Sequence, residues 1–173
     1  MPLDWFETSE GRVFGNKYSS ENGRYFAIVQ GDGYHNGKFE HGRCWLYGPT
    51  GELFSPTDTI RPRRVAVANS GVMIVGDLLL NTGALHSRLT VYAPNGELLV
   101  NQMFRRNCTQ VAISPEGNIA IIGTANPANC IRIINVGQRT ITREIEGYGW
   151  FNDALISERE RTILVDGQHR IAI

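Results

Sequence analysis

A chain of 173 residues falls in the range of one domain, and folding at that size buries about 70% of the unfolded surface, so a core forms without staples. With 42% apolar and 20% charged residues the composition excludes intrinsic disorder. Lys and Arg balance Asp and Glu at 17 each, which excludes a global field drawing the chain to nucleic acid or an anionic membrane.

The first segment, Met1-Pro2-Leu3-Asp4-Trp5-Phe6-Glu7, has neither the basic nor the apolar stretch of a signal peptide. Nowhere do about 18 uncharged apolar residues run together, so secretion and membrane insertion are disfavoured. Trp5 to Phe14 reads as extended chain, and residues 1–14 are expected to act as a closing strand. Ser20-Glu21-Asn22-Gly23 followed by Arg24-Tyr25-Phe26-Ala27-Ile28-Val29 reads as a turn leading into a strand, the start of a first unit over 15–60.

Internal repetition then becomes plain. Arg43-Cys44-Trp45-Leu46-Tyr47-Gly48-Pro49-Thr50-Gly51-Glu52-Leu53 matches Arg88-Leu89-Thr90-Val91-Tyr92-Ala93-Pro94-Asn95-Gly96-Glu97-Leu98, with Arg, Tyr, Pro, Gly, Glu and Leu recurring at an offset of 45. Pro-Thr-Gly and Pro-Asn-Gly between apolar runs are hairpin turns: proline presets φ and glycine tolerates a positive one. Upstream, Val65-Ala66-Val67-Ala68-Asn69-Ser70-Gly71-Val72-Met73-Ile74-Val75-Gly76 parallels Val111-Ala112-Ile113-Ser114-Pro115-Glu116-Gly117-Asn118-Ile119-Ala120-Ile121-Ile122-Gly123, strand, turn, strand. The second and third units are therefore set at 61–104 and 105–146.

The fourth unit, 147–173, holds Ala154-Leu155-Ile156-Ser157 and Arg161-Thr162-Ile163-Leu164-Val165 in the same register. Residues 152–161 also suit a short helix by propensity, and the repeat register favours strand and turn. The unit supplies three strands, ending in Arg170-Ile171-Ala172-Ile173, and the segment from Trp5 to Phe14 is expected to provide the fourth. The runs Phe26 to Val29, Met73 to Val75 and Ile119 to Ile122 do not alternate with polar residues, as expected for strands covered on both faces. A repeat of about 40 to 50 residues, each a four-stranded meander, predicts an all-β fold, a small β-propeller of about four blades closed by the amino-terminal strand.

The pattern Val111 to Gly123, an apolar strand, a Ser-Pro-Glu-Gly turn and a second strand, resembles the repeats of WD-repeat and related β-propeller proteins over nearly the whole chain. The Gly-His and Trp-Asp dipeptides of those repeats are absent: Leu46-Tyr47, Val91-Tyr92 and Ile133-Ile134 stand where Trp-Asp would fall.

Cys44, Cys108 and Cys130 are widely spaced without C-x-x-C pairing and read as reduced thiols in a cytoplasmic protein. The histidines His35, His41, His86 and His169 are expected on loops between second and third strands, which Asp32, Asp77 and Asp166 begin. If these converged they could bind a metal or supply acid and base, with Asp32, His35, Asp77, His86 and His169 as candidate ligands, Asp153 beside them and a lactonase-like, metal-assisted hydrolysis as the alternative function. No spacing demands it, and no cofactor is expected.

On the same face the loops between units carry Arg61, Arg63 and Arg64, then Arg105 and Arg106, suited to bidentate contacts with carboxylates or phosphates. Tyr148 and Trp150, flanked by glycine, either anchor a partner or plug the space between blades. Asn16, Arg64, Gln110 and Asp153 are expected to ring the axial mouth, able to hold a small polar ligand, water or an Arg64 to Asp153 pair. With no catalytic motif, the leading expectation is a non-enzymatic module that binds another protein through this face. Closure of the ring between copies of the chain is left open, and nucleic acid is disfavoured for want of interleaved aromatics.

Overall fold

A computed structural model of the chain describes residues 3–35, 38–79, 86–125 and 129–173. The described residues are all strand, turn and loop, with no helix. The first sheet is built from β1 (Leu3–Thr8), β2 (Gly11–Ser19), β3 (Phe26–Gln30), β6 (Arg43–Gly48) and β7 (Gly51–Phe54), in that spatial order, and a ribbon of β4 (Gly33–His35) and β5 (Lys38–Glu40) interrupts it. The second holds β8 (Pro62–Val67), β9 (Met73–Leu79), β10 (His86–Tyr92) and β11 (Leu98–Phe104); the third holds β12 (Asn107–Ile113), β13 (Ile119–Ala125), β14 (Cys130–Asn135) and β15 (Thr140–Glu146). The fourth has β16 (Ala154–Ser157), β17 (Thr162–Val165) and β18 (His169–Ala172). All pairings are antiparallel, as short hairpin connections require. Gly71 and Gly117, at φ +85° and +86°, close the same turn in consecutive blades, a backbone that side chains of L-residues rarely adopt.

The sheets fan out face to face. Ala27, Val29, Cys44 and Leu46 of the first pack on Val65, Val67, Met73, Val75 and Tyr92 of the second. Ile74, Leu89 and Val91 on the other face of the second pack on Val111, Ala120 and Ile122 of the third. Ile121, Ile131 and Ile133 then meet Ala154, Ile156, Ile163 and Val165 of the fourth. A middle sheet thus buries both faces, which is why its strands lack alternation. Turn-to-turn hydrogen bonds repeat along the fan: Asn22 N–H to Asn69 Oδ1 at 2.8 Å, Ser70 N–H to the Pro115 carbonyl at 3.3 Å, and Asn118 Nδ2 to Glu158 Oε2 at 2.9 Å.

Residues 154–157 form a strand and not a helix, in keeping with the repeat register. The amino-terminal strand, however, does not close the last blade. β1 pairs along its length with β2, Leu3 opposite Asn16 and Thr8 opposite Gly11, and the described part of the fourth sheet has three strands. The cause is local: a Thr-Ser-Glu-Gly turn with Gly11 at φ +111° makes a hairpin whose short loop closes at far lower entropic cost than pairing with a strand over 150 residues away. This hairpin lies on the open face of the first blade, where Val13 and Phe6 cover Ile28 and Trp45.

The tip of the hairpin is pinned through Glu52. Its carboxylate accepts Ser9 N–H at 2.8 Å and Ser9 Oγ–H at 2.5 Å, with the Tyr47 hydroxyl 3.1 Å away. Burial pushes this carboxyl up, but the Ser9 and Tyr47 hydrogen bonds pull harder and hold it below the usual glutamate value of 4.5. A group lowered on folding contributes stability that is present above the unfolded value and lost as pH falls through the folded one. Acidification below pH 4.5 is therefore expected to loosen the hairpin: protection of β2 amides, corrected for intrinsic exchange, should fall in the native chain and stay flat in Glu52→Gln.

Candidate functional site

The inner strands β2, β8, β12 and β16 surround an axial cleft of about 580 Å3, lined by Tyr18, Val65 to Val67, Val111 to Ile113 and Asp153 to Ser157 among others. Of the four residues expected at its mouth, only Asp153 lines it. A bulge displaces two of the rest: the register slips between Pro62 and Arg64 in β8 and between Cys108 and Gln110 in β12. An extra residue in a strand re-aims its neighbours, so Arg64 Nε reaches sideways to the Thr109 carbonyl at 2.6 Å and Gln110 Nε2 to the Asn152 carbonyl at 2.9 Å. Arg64 is thus a latch to the next blade, and no ion pair with Asp153 forms among the described residues. Thr109 Oγ1 carries the chain of contacts on by donating to the Gly149 carbonyl.

Gly149 sits where a Cβ would meet the backbone of Thr124, Asn129 and Cys130, so only glycine lets this loop lie against β13 and β14. The close fit fixes what flanks it. Phe151 is buried against the third and fourth sheets, whereas Trp150 stands 67% exposed and Tyr148 lies at the surface with its ring 5.1 Å from that of His169. Of the three aromatics, Phe151 plugs the gap between blades and Trp150 is presented to solvent.

The arginines divide in the same way. Arg61 is spent on Asp32, with Nε and Nη2 both 2.7 Å from Oδ2, and Arg63 touches Asp32 at 3.5 Å while half exposed. Arg105 is exposed and Arg106 half-buried, with no ion pair among the described residues; the Arg106 carbonyl accepts Ser87 Oγ–H at 2.6 Å. The loops starting β8, β12 and β16 thus place Arg63, Arg105, Arg106 and Trp150 at one end of the fan, on supports cross-linked by Arg64, Thr109 and Gln110.

The residues considered for a metal are dispersed. Asp77 does not begin a loop: it is fully buried inside β9, accepting Ile60 N–H at 3.0 Å and Arg61 N–H at 2.5 Å and pairing with Arg88 Nη2 at 3.0 Å. Burial pushes its carboxyl above the usual aspartate value of 3.8, against the pull of the Arg61 and Ile60 N–H groups and Arg88. Asp32 holds Arg61, and Asp166 accepts Asn152 and Asp153 N–H at 2.8 and 3.0 Å. His86 and His169 open β10 and β18, His41 lies between β5 and β6, and the side chain of His35 lies outside the described residues. Among those residues no three His, Cys, Asp or Glu side chains form a metal-holding group. All three cysteines are unpaired and buried, and burial pushes the Cys108 thiol up to about 12, which leaves it unreactive.

Asp77 and Asp166 share one role, tying down the loop that leads into their own blade's inner strand. Sequence reading placed both on loops and missed it. The available signal was an aspartate at the end of the apolar run of the second strand, in Ile-Val-Gly-Asp77 and Ile-Leu-Val-Asp166.

Radial antiparallel sheets packed in this manner are the fold of β-propellers. Among solved structures the chain is similar to one in the crystal structure of the mitotic checkpoint complex, at TM-score 0.59 and 14% identity, covering 90% of this chain and 49% of that one. It is similar as well to the C-terminal WD40 domain of Sif2, at TM-score 0.59 and 16% identity, covering 92% of this chain and 42% of that one. The chain thus spans about half the length of these neighbours. No protein-family profile matches it, and no curated protein sequence does either.

Proposed function

We propose that this chain is a non-enzymatic protein-interaction module whose binding face is the loop end bearing Arg63, Arg105, Arg106 and Trp150. One observation carries the reading: a tryptophan held two-thirds exposed on a loop fixed by Gly149 and Thr109, at the same end of the fan as Arg105 and Arg106, which make no ion pair among the described residues, and as Arg63, held only at 3.5 Å by Asp32. Exposing a large aromatic costs free energy in the isolated chain, and rigid aromatics with nearby arginine are the side chains that dominate interface energetics. A solved neighbour taken from the mitotic checkpoint complex supports such a role.

The test is a quantitative pull-down with the native chain and two variants, Trp150→Ala and the triple reversal Arg63→Glu, Arg105→Glu, Arg106→Glu. Loss of about 2 kcal/mol at a central aromatic weakens binding about 30-fold, so the specific partner should be nearly absent from the Trp150→Ala sample. Charge reversal should slow association and flatten or invert its salt dependence, because the attraction that salt screens is gone. Equal recovery of every partner by all three proteins would refute this face.

A further inference from the structure

Among the described residues nearly every sheet face is covered by a neighbour, and two are not. On the hairpin, strand alternation puts Phe6 and Val13 against the first blade and turns Leu3, Trp5 and Phe14 outward. Leu3 is 56%, Trp5 55% and Phe14 45% exposed, with the Trp5 and Phe14 rings 5.3 Å apart. On the fourth blade Ala154, Ile156, Ile163 and Val165 face the third, so Leu155 and its cross-strand partner Leu164, with Arg170 beyond it, face the other way. Leu155 is 64% exposed and Leu164 half-buried. These are the first and last faces of one fan, and they do not cover each other.

From this we infer that a second copy of the chain is the occupant, docking head to tail, with the Leu3, Trp5 and Phe14 face of one copy on the Leu155 and Leu164 face of the other. Two features select a second copy over an unrelated partner, and a third permits it. The contact continues the apolar, face-to-face layering that already joins the four sheets, so the fan itself provides the geometry. The exposed charges at the two faces are each balanced locally, Glu7 by Arg12 at 3.9 Å on the hairpin and Arg170 by Glu160 at 3.5 Å on the fourth blade, so these groups set no net charge against a contact between copies. Finally, the matched neighbours run to about twice the length that this chain covers, leaving room in such a fold for a second arc of the same size. Two copies meeting in this way make two identical heterologous junctions, a closed pair. The inference is independent of the loop face proposed above, because Arg63, Arg105, Arg106 and Trp150 lie on neither end face.

Sedimentation equilibrium of the native chain across micromolar concentrations should report a dimer. Trp5→Glu and Leu155→Arg each introduce a charge at an exposed side chain, so the core stays intact, which circular dichroism verifies. Each variant alone spoils both junctions of the pair and should sediment as a monomer. An equimolar mixture of the two should recover the dimer, because one junction is then native and the introduced carboxylate and guanidinium face each other across the second. A native chain that stays monomeric overturns the inference, as does a dimer that neither variant weakens or a mixture that fails to recover. Failure here with Trp150-dependent partner binding intact would leave the proposed function standing, and the reverse outcome would separate them equally.

Discussion

Asp77→Ala is expected to destabilise the fold by about 3–5 kcal/mol, a fall in melting temperature of about 6–20 °C for a chain of this size. The carboxylate is the shared acceptor for Ile60 N–H, Arg61 N–H and the Arg88 guanidinium, and its side chain is fully buried. Arg88 is itself largely buried, and its Nε has no partner among the described residues. Removing the carboxylate leaves that cation with Asp58 alone, at 2.6 Å on the surface side, and strips two backbone N–H groups of their acceptor, each at the cost of an unmade hydrogen bond. A double variant, Asp77→Ala with Arg88→Met, should recover part of the loss, because deleting both ends of a buried pair is milder than orphaning one. Thermal melts of the native chain and the two variants check this, and a double variant no more stable than Asp77→Ala would show that Asp77 acts only through the Ile60 and Arg61 backbone. Since those residues lead into the Arg63 loop, partner binding should weaken along with stability.

This aspartate marks where sequence reading succeeds and where it stops. Repetition at an offset of 45 residues revealed the blades because turn chemistry and apolar runs are local and each blade restates them. The direction of a side chain near a bulge is not local. Arg64 and Gln110 looked like mouth residues by counting along their strands, and the slipped registers of β8 and β12 turned both towards the next blade. Asp77 looked like a loop residue because a charge among apolar neighbours reads as exposed, whereas its partners Ile60, Arg61 and Arg88 come together only in the folded sheet. The hairpin, by contrast, was legible and overlooked. Trp5-Phe6 and Val13-Phe14 flank Thr-Ser-Glu-Gly, a plain turn signature, and the expectation of long-range closure overrode it. At the candidate face the arginines and aromatics were visible as residue types, but which ones stay available was decided by Asp32, Thr109 and Gly149, contacts that no linear pattern encodes.

The same hairpin explains the second large effect expected. Trp45, fully buried in β6, is sealed between the first blade and the hairpin by Val13, Ile28 and Phe6. Trp45→Ala empties the largest side chain in that layer, and transfer plus cavity terms for such a truncation amount to about 3–5 kcal/mol. The hairpin then loses its main support. Trp45→Phe is expected to behave quite differently. Among the described residues the buried indole Nε1–H has no hydrogen-bond partner, a group whose desolvation costs about 1–3 kcal/mol, so a phenyl ring gives up some packing volume while shedding an unpaired donor. The two changes offset, and Trp45→Phe should fall within about 1.5 kcal/mol of the native chain. Denaturant titrations decide it. If Trp45→Phe were as damaging as Trp45→Ala, the indole N–H would have to be hydrogen-bonded in solution, and the hairpin would be held by that bond and not by the fit of an apolar ring beneath it.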